Sequence, residues 1–384
     1  MYPKIEGLDP DETKRTFQGV YAHSARWDPE TPLEDKDVIV IGNGCSGAQI
    51  VPACAKTAKS VTQFFRAKHW LVPTPKMDPL KVRDKVNNVL GVRLSRMLLF
   101  LFLEAQFPMF SNDGYWANKV RDFNTNKART HMLKTAPQKY HDMIMPDFKI
   151  GCKRRIIDYG YLQSLHNENV LLSDDPIVSV SEHHVHTKSG KSYHADVIFA
   201  ATGFDVQSSS GNIPIYGLDK EENITEFWDR TGVSAYNVSQ VAGYPNLFYL
   251  LGPNAGTGHT SALLQIENTL TYIDNVAGYV LRGEASSVDV KLTAYLEWKR
   301  EINEASKQTV QMKGGCSSWY IKNGTNSVFY PWSQIRYWWR AVWPKYEDQT
   351  YRWTRNDVIQ TKRRRRHTLL AVLLSIILKF TYFK

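Results

Sequence analysis

Between residues 37 and 55 an apolar, β-branched run, Asp37-Val38-Ile39-Val40-Ile41, passes into Gly42-Asn43-Gly44-Cys45-Ser46-Gly47 and then into Ala48-Gln49-Ile50-Val51-Pro52-Ala53-Cys54-Ala55. This order predicts a strand, a tight turn and a helix of a parallel α/β sheet. In the GxGxxG spacing Gly42 makes the turn, Gly44 lets the backbone approach a pyrophosphate, and Gly47 lets helix and strand pack. Ser46 stands at the entrance of the helix, whose N–H groups and dipole receive the anion. The expected second strand, Ser60 to Phe65, ends at Arg66, 19 positions after Gly47. A fold for NADH places a carboxylate there, to hold the ribose 2′-hydroxyl. A carboxylate repels a 2′-phosphate, whereas a guanidinium pairs with it, so Arg66, with Lys68 close by, favours NADPH. The plainer readings are a glycine-rich strand–helix turn and a solvated basic strand end.

The chain has 384 residues, a length for two or three ordinary domains. Apolar residues make up 42% and charged residues 22%, which predicts a packed core and excludes a disordered chain. Aromatic residues reach 12% and point to ligand-facing or interface surfaces. Cys45, Cys54, Cys152 and Cys316 are too scattered for a disulfide scaffold and show no metal-finger spacing. No metal site is therefore expected, and a reducing compartment is the default. Residues 1–30 hold no apolar core of a secretory signal. Half of the net charge of +10 lies in the run Lys362-Arg363-Arg364-Arg365-Arg366; without it 43 basic residues face 38 acidic ones, leaving +5. The charge marks a basic tail and argues against a nucleic-acid partner.

Residues 75–150 break the α/β alternation. The run Met97-Leu98-Leu99-Phe100-Leu101-Phe102-Leu103, after Arg93 and Arg96 and before Glu104, is too short to span a bilayer. It predicts a buried helix in an insertion, lining a substrate channel, with a membrane-contacting helix as the alternative. Strand signals return at Asn169–Leu172, Ile177–Val180 and His183–Thr187, with a Ser189-Gly190 turn. Alternation puts His184 and His186 on one face and His183 on the other, a solvated hairpin and not a ligand set. Asp196–Ala200 predicts a strand running into Ala201-Thr202-Gly203-Phe204-Asp205. A strand is also expected over Asn246–Leu251, ahead of the loop Gly252-Pro253-Asn254-Ala255-Gly256-Thr257-Gly258-His259-Thr260-Ser261, and a helix through Leu264, Ile266, Leu270 and Ile273 after it. This loop either brings N–H groups to a ligand or is a tight turn capped by Thr260 or Ser261.

After the basic run, Leu369 to Leu378 is apolar, and residues 368–383 as a helix would be ~24 Å long against a hydrocarbon core of ~30 Å. Snorkelling of Lys379 and Lys384 would close the gap. The tail is expected to be a C-terminal membrane anchor with the folded part in the cytosol, an interfacial helix, or an apolar tail packed on the protein. Without an anchor the chain is expected in the cytoplasm.

Together these motifs resemble the class B flavoprotein monooxygenases of the Baeyer–Villiger type. Residues Phe17 to Asp28 fit the fingerprint FxGxxxHxxxW followed by Pro or Asp, with Phe17, Gly19, His23 and Trp27 at its fixed positions just upstream of GxGxxG. Arg66 falls at the position that holds the 2′-phosphate in that family. Gly151-Cys152-Lys153-Arg154 is similar to the segment with a cofactor-contacting lysine, here Lys153, and the catalytic arginine, here Arg154. Ala201-Thr202-Gly203 is similar to the linker between nucleotide domains. Gly315-Cys316-Ser317-Ser318-Trp319-Tyr320, with Pro331 and Tyr337-Trp338 beyond, is similar to the C-terminal block of the ketone-oxidising branch. The match is colinear over roughly residues 5–345. It implies FAD and NADPH as cofactors and O2 as co-substrate: NADPH reduces FAD, and the oxygen activated on the flavin converts a ketone into an ester or lactone. Arg154 would be the fixed cation where negative charge develops. Thr202, Gly203, Asn254 and Trp319 would contact the cofactors, and His23 and Trp27 would couple the domains.

The family carries two GxGxxG sites and this chain one. The first, for the ADP half of FAD, would precede Phe17, so an N-terminal half on the order of 100–150 residues is expected to be lacking, together with the aspartate that partners the arginine. Residues 206–340 are then expected to expose a sheet edge and an unfilled core. Ala67 stands where many relatives have a hydroxyl beside the arginine. The expected fold is α/β. Residues 1–34 form a fingerprint linker, and 35–205 a Rossmann-like NADPH-binding domain with a helical insertion at 75–150. Residues 206–345 form the C-terminal part of an FAD-binding domain, and 346–384 the basic, apolar tail with a membrane helix at 368–383. The expected function is an FAD- and NADPH-dependent monooxygenase acting on a small lipophilic ketone of polyketide or terpenoid secondary metabolism, by Baeyer–Villiger oxidation, epoxidation or hydroxylation. The alternative is a truncated, non-catalytic NADPH-binding remnant at a membrane.

Overall fold

The structure, a computed structural model, describes residues 2–75, 89–111, 114–204, 213–316, 320–322 and 324–354. Trp319, the basic run and the expected membrane helix at 368–383 lie outside them. Among the described residues no helix is long and apolar enough to cross a membrane. The chain divides into two units: Met1–Pro75, Arg121–Val206 and Gly315–Ser317 form unit 1, and Lys76–Val120, Gln207–Gly314 and Ser318–Lys384 form unit 2. The segment read as one insertion is thus shared, with 121–150 in unit 1 and 76–120 in unit 2.

The strands of unit 1 are β1 (Val20–His23), β2 (Asp37–Ile41), β3 (Ser60–Phe64), β4 (Leu71–Pro73), β5 (Ile156–Asp158), β6 (Val170–Ser173), β7 (Ile177–Val180), β8 (His184–Thr187), β9 (Ser192–His194) and β10 (Val197–Ala200). Five of them form a sheet in the order β1-β10-β2-β3-β6, every neighbouring pair parallel. Val38, Ile39 and Val40 are at most 1% exposed, which is why the β2 run is continuously apolar and does not alternate. Helix α1 (Gly47–Cys54) follows, with Pro52 inside it. From β2 the sheet grows through β3 to β6 on one side and through β10 to β1 on the other. The order reverses at β2, and open α/β sheets bind ligands at the carboxyl ends of the strands around such a point. The antiparallel meander β7-β8-β9 packs on this sheet through Leu8, Phe17, Ile39, Ile41, Phe64, Val180, Val185, Ala195 and Ile198. The parallel pair β4–β5 joins the stretch after Arg66 to the stretch after Arg154.

Unit 2 holds the helices Ile224–Thr231, Ala262–Leu281, Leu292–Lys307 and Gln334–Val342 and the antiparallel pair β11 (Ala285–Val290) and β12 (Gln349–Trp353). Its core is aromatic: Trp228, Tyr236, Tyr244, Tyr272, Tyr295, Trp298, Tyr330 and Tyr337 are all buried in one cluster. Much of the aromatic surplus therefore builds a core, where ligand-facing surfaces were expected. Several tyrosine hydroxyls find partners inside it, as Tyr337 does with Thr269 (2.8 Å) and Tyr295 with the Ser234 carbonyl (3.0 Å).

Two expected elements differ. Asn246–Leu251 is not a strand: Asn246 has φ +62°, its N–H donates to Val288, and Tyr249 donates to Ser239, so the apolar run has no ladder to join. The apolar run at 97–103 does lie in a helix, Val89–Glu104, but that helix is not buried. Leu94, Leu98, Leu101 and Phe102 are 48–65% exposed, and the buried residue is Glu104 at its end. The helix is held by polar anchors: Arg96 pairs with Glu267, and the Glu104 carboxylate accepts from His259 Nε2 (2.9 Å) and from the Ile335 amide (3.1 Å) at the start of helix Gln334–Val342. Burial opposes the charge on Glu104, but the bonds from His259 and Ile335 outweigh it and hold the carboxyl below its usual range.

Candidate dinucleotide site

The turn after β2 is shaped by its glycines. Gly42 has φ +111°, donates to the Phe64 carbonyl (2.7 Å), and a Cβ on it would lie 2.5 Å from the Ala201 oxygen. A Cβ on Gly47 would lie 2.3 Å from the Gly42 oxygen, so α1 packs on the turn only with glycine there. At Gly44 a Cβ would meet nothing within 4 Å. The middle glycine faces open space, which is what a backbone that must approach a pyrophosphate requires. Ser46 precedes α1 and makes no side-chain cap bond.

Two side chains that the sequence reading passed over brace this turn. Asn43 Nδ2 donates to the Ala67 carbonyl (2.8 Å), tying the glycine turn to the turn that carries Arg66. Gln63 Nε2 donates to the Gly42 carbonyl (2.9 Å), and its Oε1 accepts from Tyr161 Oη (2.7 Å). Gln63 was legible in principle: a fully buried amide within an apolar strand must be partnered. Arg66 is exposed at the end of β3, beside the braced turn, while Lys68 donates to the Asp142 carbonyl (3.0 Å). Glycine turn, open position and exposed guanidinium together fit a dinucleotide with a 2′-phosphate.

The fingerprint residues pack against the meander core, β10 and the turns on either side of it. Phe17 is buried in the meander core, and a Cβ on Gly19 would lie 2.3 Å from the Asp196 oxygen. Trp27 stacks on Phe199 of β10 at 4.5 Å. His23 accepts from Ala25 N at Nδ1 (3.1 Å), so its proton is on Nε2, which donates to the Gly203 carbonyl (3.0 Å). Burial, only partly opposed by the Gly203 bond, lowers the His23 pKa and keeps the ring neutral. Thr202 and Gly203 follow β10 without entering it, and Gly203 has φ +78°.

Lys153 and Arg154 lie between the Gly151 turn and β5. Arg154 is exposed; Lys153 is half-buried, its Nζ 4.9 Å from the Phe148 ring centroid, and burial lowers its pKa. His69 is pushed down to about 4, first by burial and then by the charge of Lys153, and its Nδ1 has no hydrogen-bond partner among the described residues. Cys152 is not a thiol: it forms a disulfide with Cys316, a pairing that the scattered cysteine spacing did not suggest.

The second glycine-rich loop, in unit 2, is built differently. Asn254 is buried, and its amide donates to the carbonyls of Asn326 (2.6 Å) and Phe329 (3.4 Å). A Cβ on Gly256 would lie 2.8 Å from the Val328 oxygen, and one on Gly258 2.3 Å from the Phe110 ring. These glycines allow close internal packing, and Ser261 caps the following helix by accepting from Leu263 N (3.2 Å). The tight-turn reading describes this loop, which offers no open cradle like that at Gly44.

The parallel sheet, the reversal of strand order and the braced glycine turn are the features of a dinucleotide-binding fold. Over 358 residues the chain is 28% identical to a Baeyer–Villiger monooxygenase of Pseudomonas aeruginosa, covering 92% of this chain and 65% of the relative. It is 30% identical over 336 residues to a Baeyer–Villiger monooxygenase of Streptomyces coelicolor, covering 86% and 62%. A solved structure of oxidized steroid monooxygenase bound to NADP superimposes with a TM-score of 0.75 at 21% identity, covering 92% of this chain and 72% of that one. No family model matches. The chain is similar to these Baeyer–Villiger monooxygenases along most of its own length, and it spans less than two thirds of the length of either relative.

Proposed function

We propose that this chain binds NADPH at the Gly42–Gly47 turn and serves an FAD-dependent monooxygenase that inserts one atom of O2 into a lipophilic ketone. The observation that carries this reading is the open Gly44 position, braced by Asn43 and Gln63, beside the exposed Arg66. In it the backbone of residues 42–47 seats the pyrophosphate and Arg66 pairs with the 2′-phosphate. Gln63 and Asn43 orient the two turns. A bound flavin would supply the redox and oxygen-activating chemistry, with NADPH held at the Gly42–Gly47 turn as the reductant. Arg154, a permanent cation, stabilises negative charge on the carbonyl oxygen as it is attacked. The names of the relatives and of the steroid monooxygenase support a ketone-bearing apolar substrate, and secondary metabolism is the setting proposed for it.

The test is the visible spectrum of the purified chain with and without added FAD, followed by product analysis with NADPH, O2 and a panel of cyclic and steroidal ketones. Retained flavin and an ester or lactone product support the enzyme. In a flavin-binding chain, Arg154→Ala is expected to lose product while flavin reduction continues; equal product yield would remove Arg154 from the chemistry. The close internal packing of Gly256 and Gly258 favours a second reading, an NADPH-binding remnant without flavin chemistry. NADP+ binding with no retained flavin would support that one.

A further inference from the structure

Cys152 and Cys316, 164 residues apart in sequence, are joined within unit 1, and the Cys316 amide also donates to Cys152 Sγ (3.3 Å). The bond immediately precedes Lys153 and Arg154, so it fixes one side of the segment that presents both cations. Cys152 is buried and Cys316 is partly exposed, so an incoming thiolate meets the Cys316 sulfur first. Lys149, Lys153, Arg154, Arg155 and Lys313 lie within three residues of one sulfur or the other, and no acidic residue does. Cations near a sulfur favour its thiolate, and the sequence flanking both cysteines is basic. Cys45 and Cys54 remain thiols in the same chain, so the bond is not part of a general disulfide framework.

We propose that Cys152–Cys316 is an exchangeable disulfide, a modification site for a dithiol reductant, and that its reduction loosens the Lys153–Arg154 segment. In the exchange a thiolate of the dithiol attacks Cys316 Sγ, the S–S bond breaks, and Cys152 leaves as a thiolate and takes up a proton. The second thiol of the reductant then closes on the mixed disulfide and releases Cys316 as a thiol. The dithiol supplies both electrons and both protons and ends as its own disulfide. The consequence for the cofactor rests on the reading of Lys153 and Arg154 given above; the exchange and the loosening do not.

The test equilibrates the folded, full chain in dithiothreitol redox buffers and counts thiols after a denaturing quench with maleimide. It also follows amide hydrogen exchange over residues 149–158 and NADP+ binding in both forms. The thiol count is expected to rise from two to four while the chain stays folded. Amide exchange over 149–158 is expected to become about tenfold faster. Cys316→Ser should show the fast exchange in every buffer; if that variant does not fold, the titration of the unaltered chain decides. A count that stays at two until the chain unfolds overturns the proposal, and so does a count of four with unchanged amide exchange. NADP+ binding in neither form would overturn the functional reading alone, because thiol count and amide exchange are read without it.

Discussion

A Cβ placed on Gly42 lies 2.5 Å from the Ala201 carbonyl oxygen, and one placed on Gly44 meets nothing within 4 Å. The two glycines therefore separate folding from binding. Gly42→Ala combines a clash with backbone at positive φ and is expected to cost about 2 kcal/mol or more, seen as a lowered Tm. Gly44→Ala is expected to leave Tm within a degree or two and to weaken NADP+ binding; a lowered Tm with unchanged binding would reverse these roles. His69 makes a pH prediction at the same scale. Above its ordinary value of 6.5 both folded and unfolded chains hold it neutral. Between 6.5 and about 4 the unfolded chain takes up a proton that the folded chain refuses, so stability falls as pH falls through that window and no further below it. The loss is on the order of 3 kcal/mol. His69→Phe should flatten this limb of the urea-denaturation profile, and an unchanged limb would assign it to other groups.

The apolar helix Val89–Glu104 owes its position to the polar residue at its end. Glu104 is buried with His259, and its carboxylate also accepts from the amides at the start of helix Gln334–Val342. Glu104→Ala leaves the ring and those amides without their acceptor and should cost about 3 kcal/mol by denaturant titration. A loss below about 1 kcal/mol would mean that apolar contacts hold the helix. Here the sequence misled in an instructive way. Met97–Leu103 has the composition of a buried segment, and composition does not say whether the rest of the chain covers it. Asn246–Leu251 failed as a strand for a related reason: strand propensity needs a neighbouring strand. By contrast β2, α1, β3 and the meander were readable, because short local periods and glycine positions decide them. Asn43, Gln63 and the Cys152–Cys316 bond were not readable, since each depends on a partner 21 to 164 residues away.

For the whole molecule, the motifs that placed the chain among its relatives lie mostly in unit 1: the fingerprint, the glycine turn, Arg66 and the Lys153–Arg154 segment. Unit 2 has its own aromatic core, and its glycine-rich loop serves that core. The function proposed for unit 1 is a nucleotide site with a preference for the 2′-phosphate. Its most direct measurement is the affinity of the full chain for NADP+ and NAD+ by calorimetry, for the unaltered chain and Arg66→Ala. The unaltered chain is expected to bind NADP+ more tightly by about 10- to 100-fold, the worth of a charge-assisted pair. Arg66→Ala should erase that preference while NAD+ affinity and Tm stay unchanged. Equal affinity for the two nucleotides in the unaltered chain, or a preference that survives Arg66→Ala, would contradict it.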